Sequence, residues 1–150
     1  MSHAFTNSLM HIVFSTKRRQ PCIDETWRSQ LHQYMGGTVR GMESVALEVG
    51  GVADHVHLLV SLHPKHSLSD FLRGLKSNTS KWVNESGFIH SRFEWQRGYG
   101  SFSVSQSQME KVRQYIQNQE SHHHRMTFEE EFVVFLKAHG IPYDERYIFD

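Results

Sequence analysis

His55 and His57 stand two residues apart inside the run Val52-Ala53-Asp54-His55-Val56-His57-Leu58-Leu59-Val60-Ser61-Leu62. Side chains two apart on a strand share a face, so the two imidazoles project together while Val52, Val56, Leu58, Val60 and Leu62 point the other way into a core. Further along the chain, Tyr115 and Gln119 lie four residues apart and share one face of a predicted helix. If that helix docks across the sheet, two imidazole nitrogens and one amide oxygen can bind a divalent cation beside a phenol. Positions on the ion are then left for water and substrate oxygens. A nitrogen and oxygen donor set without thiolate suits magnesium or manganese, manganese being more tolerant of imidazole, and zinc competes by affinity alone. Such an ion acts as a Lewis acid on a phosphoryl oxygen. A phenol loses its proton only at a pH of about 10, so a tyrosine nucleophile needs local activation, and a nearby cation supplies it by favouring phenolate.

Taken singly, each of these residues has a plainer explanation. A histidine pair is more often polar surface or a satisfied core group than a ligand, a lone tyrosine more often half-buried packing, and a lone glutamine a solvated helix position. Their joint spacing favours chemistry. The run His122-His123-His124 is not expected to ligate a metal, because three consecutive helical residues cannot all face one ion and cations are favoured at a helix C-terminus. His63 and His66 flank Pro64 after the strand, where loop polarity accounts for them.

The elements that must position these groups follow from periodicity. Residues 9–16 alternate with apolar side chains on both faces, as a central strand does. Asp24 caps a helix carrying Trp27, Leu31, Tyr34, Thr38 and Val39, and Gly36-Gly37 is expected to fray or bend its last turns. Residues 43–49 and 52–62 form a hairpin about a tight turn at Gly50-Gly51, placing the histidine pair on its second arm. Ser67, with Asp70 three residues on, opens a helix whose apolar stripe is Leu68, Phe71, Leu72, Leu75, Thr79, Trp82 and Val83. Residues 98–104 read as a fourth, glycine-loosened strand. Ser107 with Glu110 predicts a capping box for a helix running to about Glu120, with Met109, Val112 and Ile116 facing the core. Thr127 with Glu130 opens a last helix, with Phe128, Phe132, Phe135 and Leu136 on its apolar side; that side closes the core or covers a partner subunit. The order strand, helix, strand, strand, helix, strand, helix predicts an α+β, ferredoxin-like (RRM-like) split βαβ fold with an antiparallel sheet and extra C-terminal helices. Helices cover one sheet face, and His55 and His57 stand on the face left available.

The chain has 150 residues and is 38% hydrophobic, which predicts one domain over residues 1–150 with a core that needs no staples. Cys22 is the sole cysteine, excluding an intrachain disulfide and a cysteine-based metal cluster and suiting a reducing cytoplasm. No long apolar segment predicts export or a membrane span. Sixteen Lys plus Arg balance sixteen Asp plus Glu, so nucleic-acid binding must come from charge distribution. Lys17-Arg18-Arg19 is the one tight basic run, and Arg73, Lys76 and Lys81 fall within one helix; these six are the candidate phosphate contacts. Trp95 and Tyr99, beside the fourth strand, more often complete a core than stack on bases.

His55-Val56-His57 matches the histidine-hydrophobic-histidine signature of the HUH endonuclease superfamily. Tyr115-Ile116-Gln117-Asn118-Gln119 matches the single catalytic tyrosine and third metal ligand of its small transposases. The chain thus resembles transposases of the insertion sequence 200/605 type (IS200-like). The similarity extends over His11-Ile12-Val13-Phe14-Ser15-Thr16-Lys17, Asp54 to Val60, Lys76 to Trp82 and Trp95 to Ser105. The resemblance implies a ferredoxin-like homodimer that binds Mg2+ or Mn2+ through His55, His57 and Gln119. It also implies cleavage of single-stranded DNA at hairpin-flanked element ends. Tyr115 would form a 5′-phosphotyrosine link and release a 3′-hydroxyl able to reseal a strand, with no need for ATP. The tyrosine helix of such a dimer can serve the partner's histidines. Three functions compete: a transposase, mobile or domesticated to process repeat hairpins; a metal-dependent hydrolase using water, which needs further carboxylate or histidine ligands; and a hairpin-binding module without catalysis.

Overall fold

The computed structural model describes residues 5–123 and 125–149. Strand β1 (Leu9–Ser15), helix α1 (Glu25–Gly41), strands β2 (Val45–Gly51) and β3 (His55–Ser61), helix α2 (Leu68–Ser86) and strand β4 (Gly100–Ser103) follow one another in the split βαβ order. The sheet runs β2-β3-β1-β4, antiparallel at every pairing, so β1 and β3 are central as their apolar content predicts. Helices α3 (Met109–Gln117), α4 (Gln119–His123) and α5 (Phe128–Ala138) complete the chain. No helix among the described residues is long and apolar enough to cross a membrane.

One face of the sheet carries Ile12 and Phe14 of β1 with Val56, Leu58 and Val60 of β3, all fully buried. They pack against Trp27, Leu31, Met35 and Val39 of α1 and Phe71, Leu72, Leu75 and Val83 of α2. Both helices start where a side chain satisfies an orphan amide. Asp24 accepts from the Thr26 amide, and Ser67 from the Asp70 amide. Helix α2 stops at Gly87, whose φ of 71° is left-handed.

The second face corrects an expectation. It carries His55 and His57, but it is not left available: α3, α4 and α5 roof it, and both imidazoles are fully buried. Phe128, Phe132 and Leu136 of α5 pack on Val13 and Phe102, so the apolar side of this helix closes a second core within the chain. Thr127 and Glu130 form the capping box that opens it.

Three local expectations change as well. Helix α1 runs unbroken through Gly36-Gly37 to Gly41, because Gly36 is buried against α1's neighbours and tertiary packing overrides its low propensity. Gly50 and Gly51 are the end of β2, opposite His57 and Val56, and the turn falls at residues 52–54. A Cβ on Gly50 would lie 2.7 Å from the Ile116 carbonyl oxygen, and Gly51 has a φ of 153° with the His55 carbonyl 2.3 Å from a built Cβ, so backbone approach, not a turn, requires these glycines. The Ser107–Glu110 capping box does not form; a 3-10 turn over Gln106–Gln108 leads into α3, which breaks at Asn118, placing Tyr115 and Gln119 on successive helices.

The approach of α3 to β2 gives a first prediction. Gly50→Ala must push Ile116 away and is expected to lose about 1–3 kcal/mol in urea unfolding. Gly41→Ala, with nothing within 4 Å of the added methyl, should lose none. Equal midpoints for the two variants would contradict this docking.

Candidate metal and tyrosine site

The buried histidines converge with groups from the three roofing helices. Antiparallel register sets His57 opposite Val13 and His55 opposite Ser15, and His11 lies one step along the same face. The Nε2 atoms of His55 and His57 lie 3.4 and 3.0 Å from Oε1 of Glu131, on α5. His123 Nε2, from α4, lies 3.2 Å from the same oxygen. Gln119 Oε1 accepts from His55 Nε2 at 3.1 Å, and its amide nitrogen donates to Glu131 Oε2 at 3.4 Å. The Tyr115 hydroxyl donates a short hydrogen bond to that same Oε2. Ligand atoms of His55, His57, His123 and Glu131 all lie within 4.8 Å of one another.

The far nitrogens of both central imidazoles are also held. His55 Nδ1 donates to Asp54 Oδ1 at 2.7 Å, and His57 Nδ1 accepts from His11 Nε2 at 2.8 Å. Burial opposes charge on His55, yet the Asp54 and Glu131 carboxylates outweigh it and raise its pKa to about 9. His57, wholly buried and with less compensation from Glu131, is lowered to about 4. Burial would favour a neutral Glu131, but the close His123, His55 and His57 imidazoles prevail and hold its carboxyl far below the usual range. Tyr115 is pushed well above an ordinary phenol, first by burial and then by its bond to the Glu131 anion.

This arrangement fits a divalent cation. Nδ1 of His55 is tied to a carboxylate, which leaves Nε2 facing the cluster, the usual support for a ligating histidine. His123 Nε2 is buried with no hydrogen-bond partner among the described residues despite its proximity to Glu131, a ligand atom that a cation would satisfy. Of the expected set, the structure brings His55, His57, Tyr115 and Gln119 together. It adds Glu131, His123, His11 and Asp54, and it differs from expectation at the histidine run. His123 turns into the cluster, His122 packs on the Tyr115 ring at 4.4 Å, and His124 lies outside the described residues. The overlooked signals were positional. Gln119 and His123 continue the four-residue spacing from Tyr115, and Glu131 sits among Phe128, Phe132 and Phe135 on an otherwise apolar helix face.

The six basic candidates lie apart from this cluster. Lys17 pairs with Glu94 at 3.1 Å, and Arg19 pairs with Glu129 at 3.3 Å and stacks on Phe149. Arg18 and Arg19 hold positive φ in the turn after β1, and Arg18 has no ion pair among the described residues. Exposed Arg73 and Lys81 face Asp70 and Glu85 of their own helix. Lys76 is committed elsewhere. Its ammonium donates to the carbonyls of Gln96, Arg97 and Gly98, tying down the segment before β4, and burial lowers its pKa to about 8. Trp95 is buried and donates to Thr79 Oγ1 at 2.9 Å, completing the core.

An antiparallel split βαβ sheet bearing a buried histidine pair, a carboxylate and a tyrosine on one face defines an α+β protein whose His55, His57, His123 and Glu131 could hold a metal ion beside a phenol. Comparison with known proteins says which kind. The sequence profile of the family described as "Transposase IS200 like" matches residues 4–119, and the chain belongs to that family of DNA-processing enzymes. It is 28% identical over 124 residues to the transposase for insertion sequence element IS200 of Salmonella typhimurium, covering 79% of this chain and 81% of the relative. It is 27% identical over 84 residues to the ISDra2 transposase TnpA of Deinococcus radiodurans, covering 53% and 59%. Its fold is similar to that of a Deinococcus radiodurans R1 protein assigned as a transposase, with a TM-score of 0.62, 20% identity and coverage of 79% of this chain and 95% of that one. The fold is also similar to that of a REP-associated tyrosine transposase bound to a REP hairpin, with a TM-score of 0.60, 12% identity and coverage of 82% and 72%.

Beside Gln119, a groove of about 810 Å³ is lined by Arg28, His32, Glu48, Gly50 and Gln117. Burial, helped by Arg28, lowers the pKa of His32 from 6.5 to about 4. The unfolded chain therefore binds more protons than the folded one between those values, so stability rises with pH across the window and is lost as pH falls from 6.5 toward 4. His32→Gln is expected to flatten that loss in thermal melts recorded from pH 7 to pH 4. An unchanged slope would refute the assignment.

Proposed function

We propose that this chain cleaves and rejoins single-stranded DNA through a covalent 5′-phosphotyrosine intermediate on Tyr115, as one HUH transposase domain over residues 1–150. The observation that carries the reading is that the Tyr115 hydroxyl and the His55–His57 pair meet on one carboxylate within a single chain. His55, His57 and Gln119 would hold Mg2+ or Mn2+. When bound, the cation supplies Lewis-acid polarisation of the scissile phosphate and favours ionisation of the phenol.

The chain's own residues do the rest. Packing of α3 on β2 and of the His122 ring on Tyr115 fixes the phenol, and the Glu131 hydrogen bond aims its oxygen at the histidine side. Tyr115 oxygen attacks phosphorus, its proton passes to solvent, and the bond from phosphorus to the 3′ oxygen breaks. The departing 3′ oxygen takes the electron pair and a proton. Rejoining is the reverse attack by a 3′-hydroxyl on a phosphotyrosine, so bond energy is conserved.

Hairpin-flanked DNA is the proposed partner, supported by the fold's likeness to a transposase bound to a REP hairpin. Arg18, Arg73 and Lys81 remain the cations best placed for backbone phosphate, whereas Lys17, Arg19 and Lys76 contribute by shaping their segments. A homodimer in the cytoplasm, mobile or domesticated, belongs to the same reading. A second reading, hydrolysis by water, draws on His123 and Glu131, the extra ligands such a site needs.

Incubating the protein with labelled single-stranded DNA carrying element ends, with Mn2+ or Mg2+, separates the two. Wild type should form a covalent adduct that survives denaturation, and Tyr115→Phe should form none. Metal-dependent cleavage without an adduct, or an adduct in the phenylalanine variant, would sink the phosphotyrosine mechanism.

A further inference from the structure

We infer that Glu131, delivered by α5, is a protein ligand of the divalent cation through one carboxylate oxygen while its other oxygen positions the Tyr115 phenol. The inference rests on the metal-dependent reading above and adds to it an element, α5, that lies beyond the family-matched residues 4–119.

The two oxygens of Glu131 have divided surroundings. Among the described residues, Oε1 faces only imidazole nitrogens, those of His57, His123 and His55 at 3.0, 3.2 and 3.4 Å. Oε2 faces, among the described residues, only the Tyr115 hydroxyl and the Gln119 amide. A carboxylate serving as a counter-charge alone needs no such separation, whereas one that bridges a cation and a nucleophile does. Glu131 is 1% exposed, and an anion so buried is retained only where cations or strong donors compensate it. Among the described residues those partners are the three imidazoles and the Tyr115 and Gln119 donors, yet His123 Nε2, buried 3.2 Å from Oε1, makes no directed hydrogen bond to it. A divalent cation among Nε2 of His55, Nε2 of His57, Nε2 of His123 and Oε1 would satisfy the orphaned nitrogen and pair with the buried anion together. Three imidazoles and one carboxylate favour manganese over magnesium, which prefers oxygen and keeps its waters. Helix α5 is held for this task. Its capping box fixes the first turn, and Phe128 and Phe132 anchor it on Val13 and Phe102 on either side of Glu131 in sequence.

Titration of the full chain with Mn2+, followed calorimetrically and by the electron paramagnetic resonance of the bound ion, tests the inference. Glu131→Gln keeps the size and the ability to bond to Tyr115 but removes the charge, and it should weaken Mn2+ about tenfold or more and alter the bound-ion spectrum. Glu131→Asp, which retracts the carboxylate by one methylene, should fall between, and it carries the test if the glutamine variant does not fold. Tyr115→Phe removes only a partner of Oε2 and should retain more Mn2+ affinity than Glu131→Gln does. Mn2+ affinity within twofold of wild type in the folded glutamine variant, or in the aspartate variant where glutamine does not fold, would overturn the role of Glu131. If wild type still forms its DNA adduct, that result leaves the phosphotyrosine reading intact. Wild type that neither binds Mn2+ nor forms an adduct would overturn both.

Discussion

Placing an ionised carboxylate beneath a sheet face costs several kcal/mol unless opposite charge and hydrogen-bond donors meet it there. Glu131 is such a group, and the arrangement of the second layer follows from supplying its partners. His55 can answer it as a cation because Asp54 supports the proton on its far nitrogen. His57 answers it as a neutral donor, and its own far nitrogen is satisfied by His11 from the neighbouring strand. The carboxylate can reach these groups only if α5 lies flat on the sheet. That in turn requires Gly100, where an added Cβ would stand 2.7 Å from the Phe132 ring. Charge neutralisation on one side of the helix and aromatic packing on the other therefore act on the same docking.

The constraint also sets the state of the Tyr115 phenol. A phenol bonded to an anion in a buried site is a poor acid, so Tyr115 in this arrangement is protonated and held in place. Orientation and activation are thus separated. The protein provides the first through α3, the His122 ring and Glu131, and under the proposed function the second would come from a cation held among the imidazoles. Because Gln119 bonds to His55 and to Glu131, a change at any member of the cluster is felt by the phenol.

Most of the first layer was legible because its periodicities are local. The alternation in β1, the Asp24 and Ser67 caps and the stripe of α2 each report their own element, and their order defines the split βαβ frame. Gly50 and Gly51 were misleading for a physical reason. Two adjacent glycines favour a turn, yet here they admit the backbones of Ile116 and His55, a demand made by residues distant along the chain or across the hairpin. That the histidine pair would meet Tyr115 and Gln119 was legible from their spacing together with the family resemblance. Glu131 was not, because its neighbours Glu129 and Glu130 make it look like part of an exposed acidic first turn, while the helix face it occupies belongs to Phe128 and Phe135. His123 was hidden by its neighbours in the same way, since a run of three histidines obscures which one the helix aims inward.

The break at Asn118 shows how the two helices share the work. A continuous helix from Met109 would keep Tyr115, Gln119 and His123 in one line, with each successive residue drifting around the axis relative to the sheet. Ending α3 at Gln117 and restarting at Gln119 resets the direction of the chain. Gln119 and His123 then enter above His55 while Tyr115 stays over His57, and the His123 and His55 rings approach to 4.3 Å. Tyr115 and Gln119 belong to the family-matched region, but His123 and Glu131 follow it. The shared part of the fold supplies the histidine pair, the phenol and the glutamine, and the C-terminal segment of this chain encloses them and adds a charge of its own. Enclosure and added charge come from the same two helices, so the segment cannot withdraw from the sheet without also removing the carboxylate that orients the phenol.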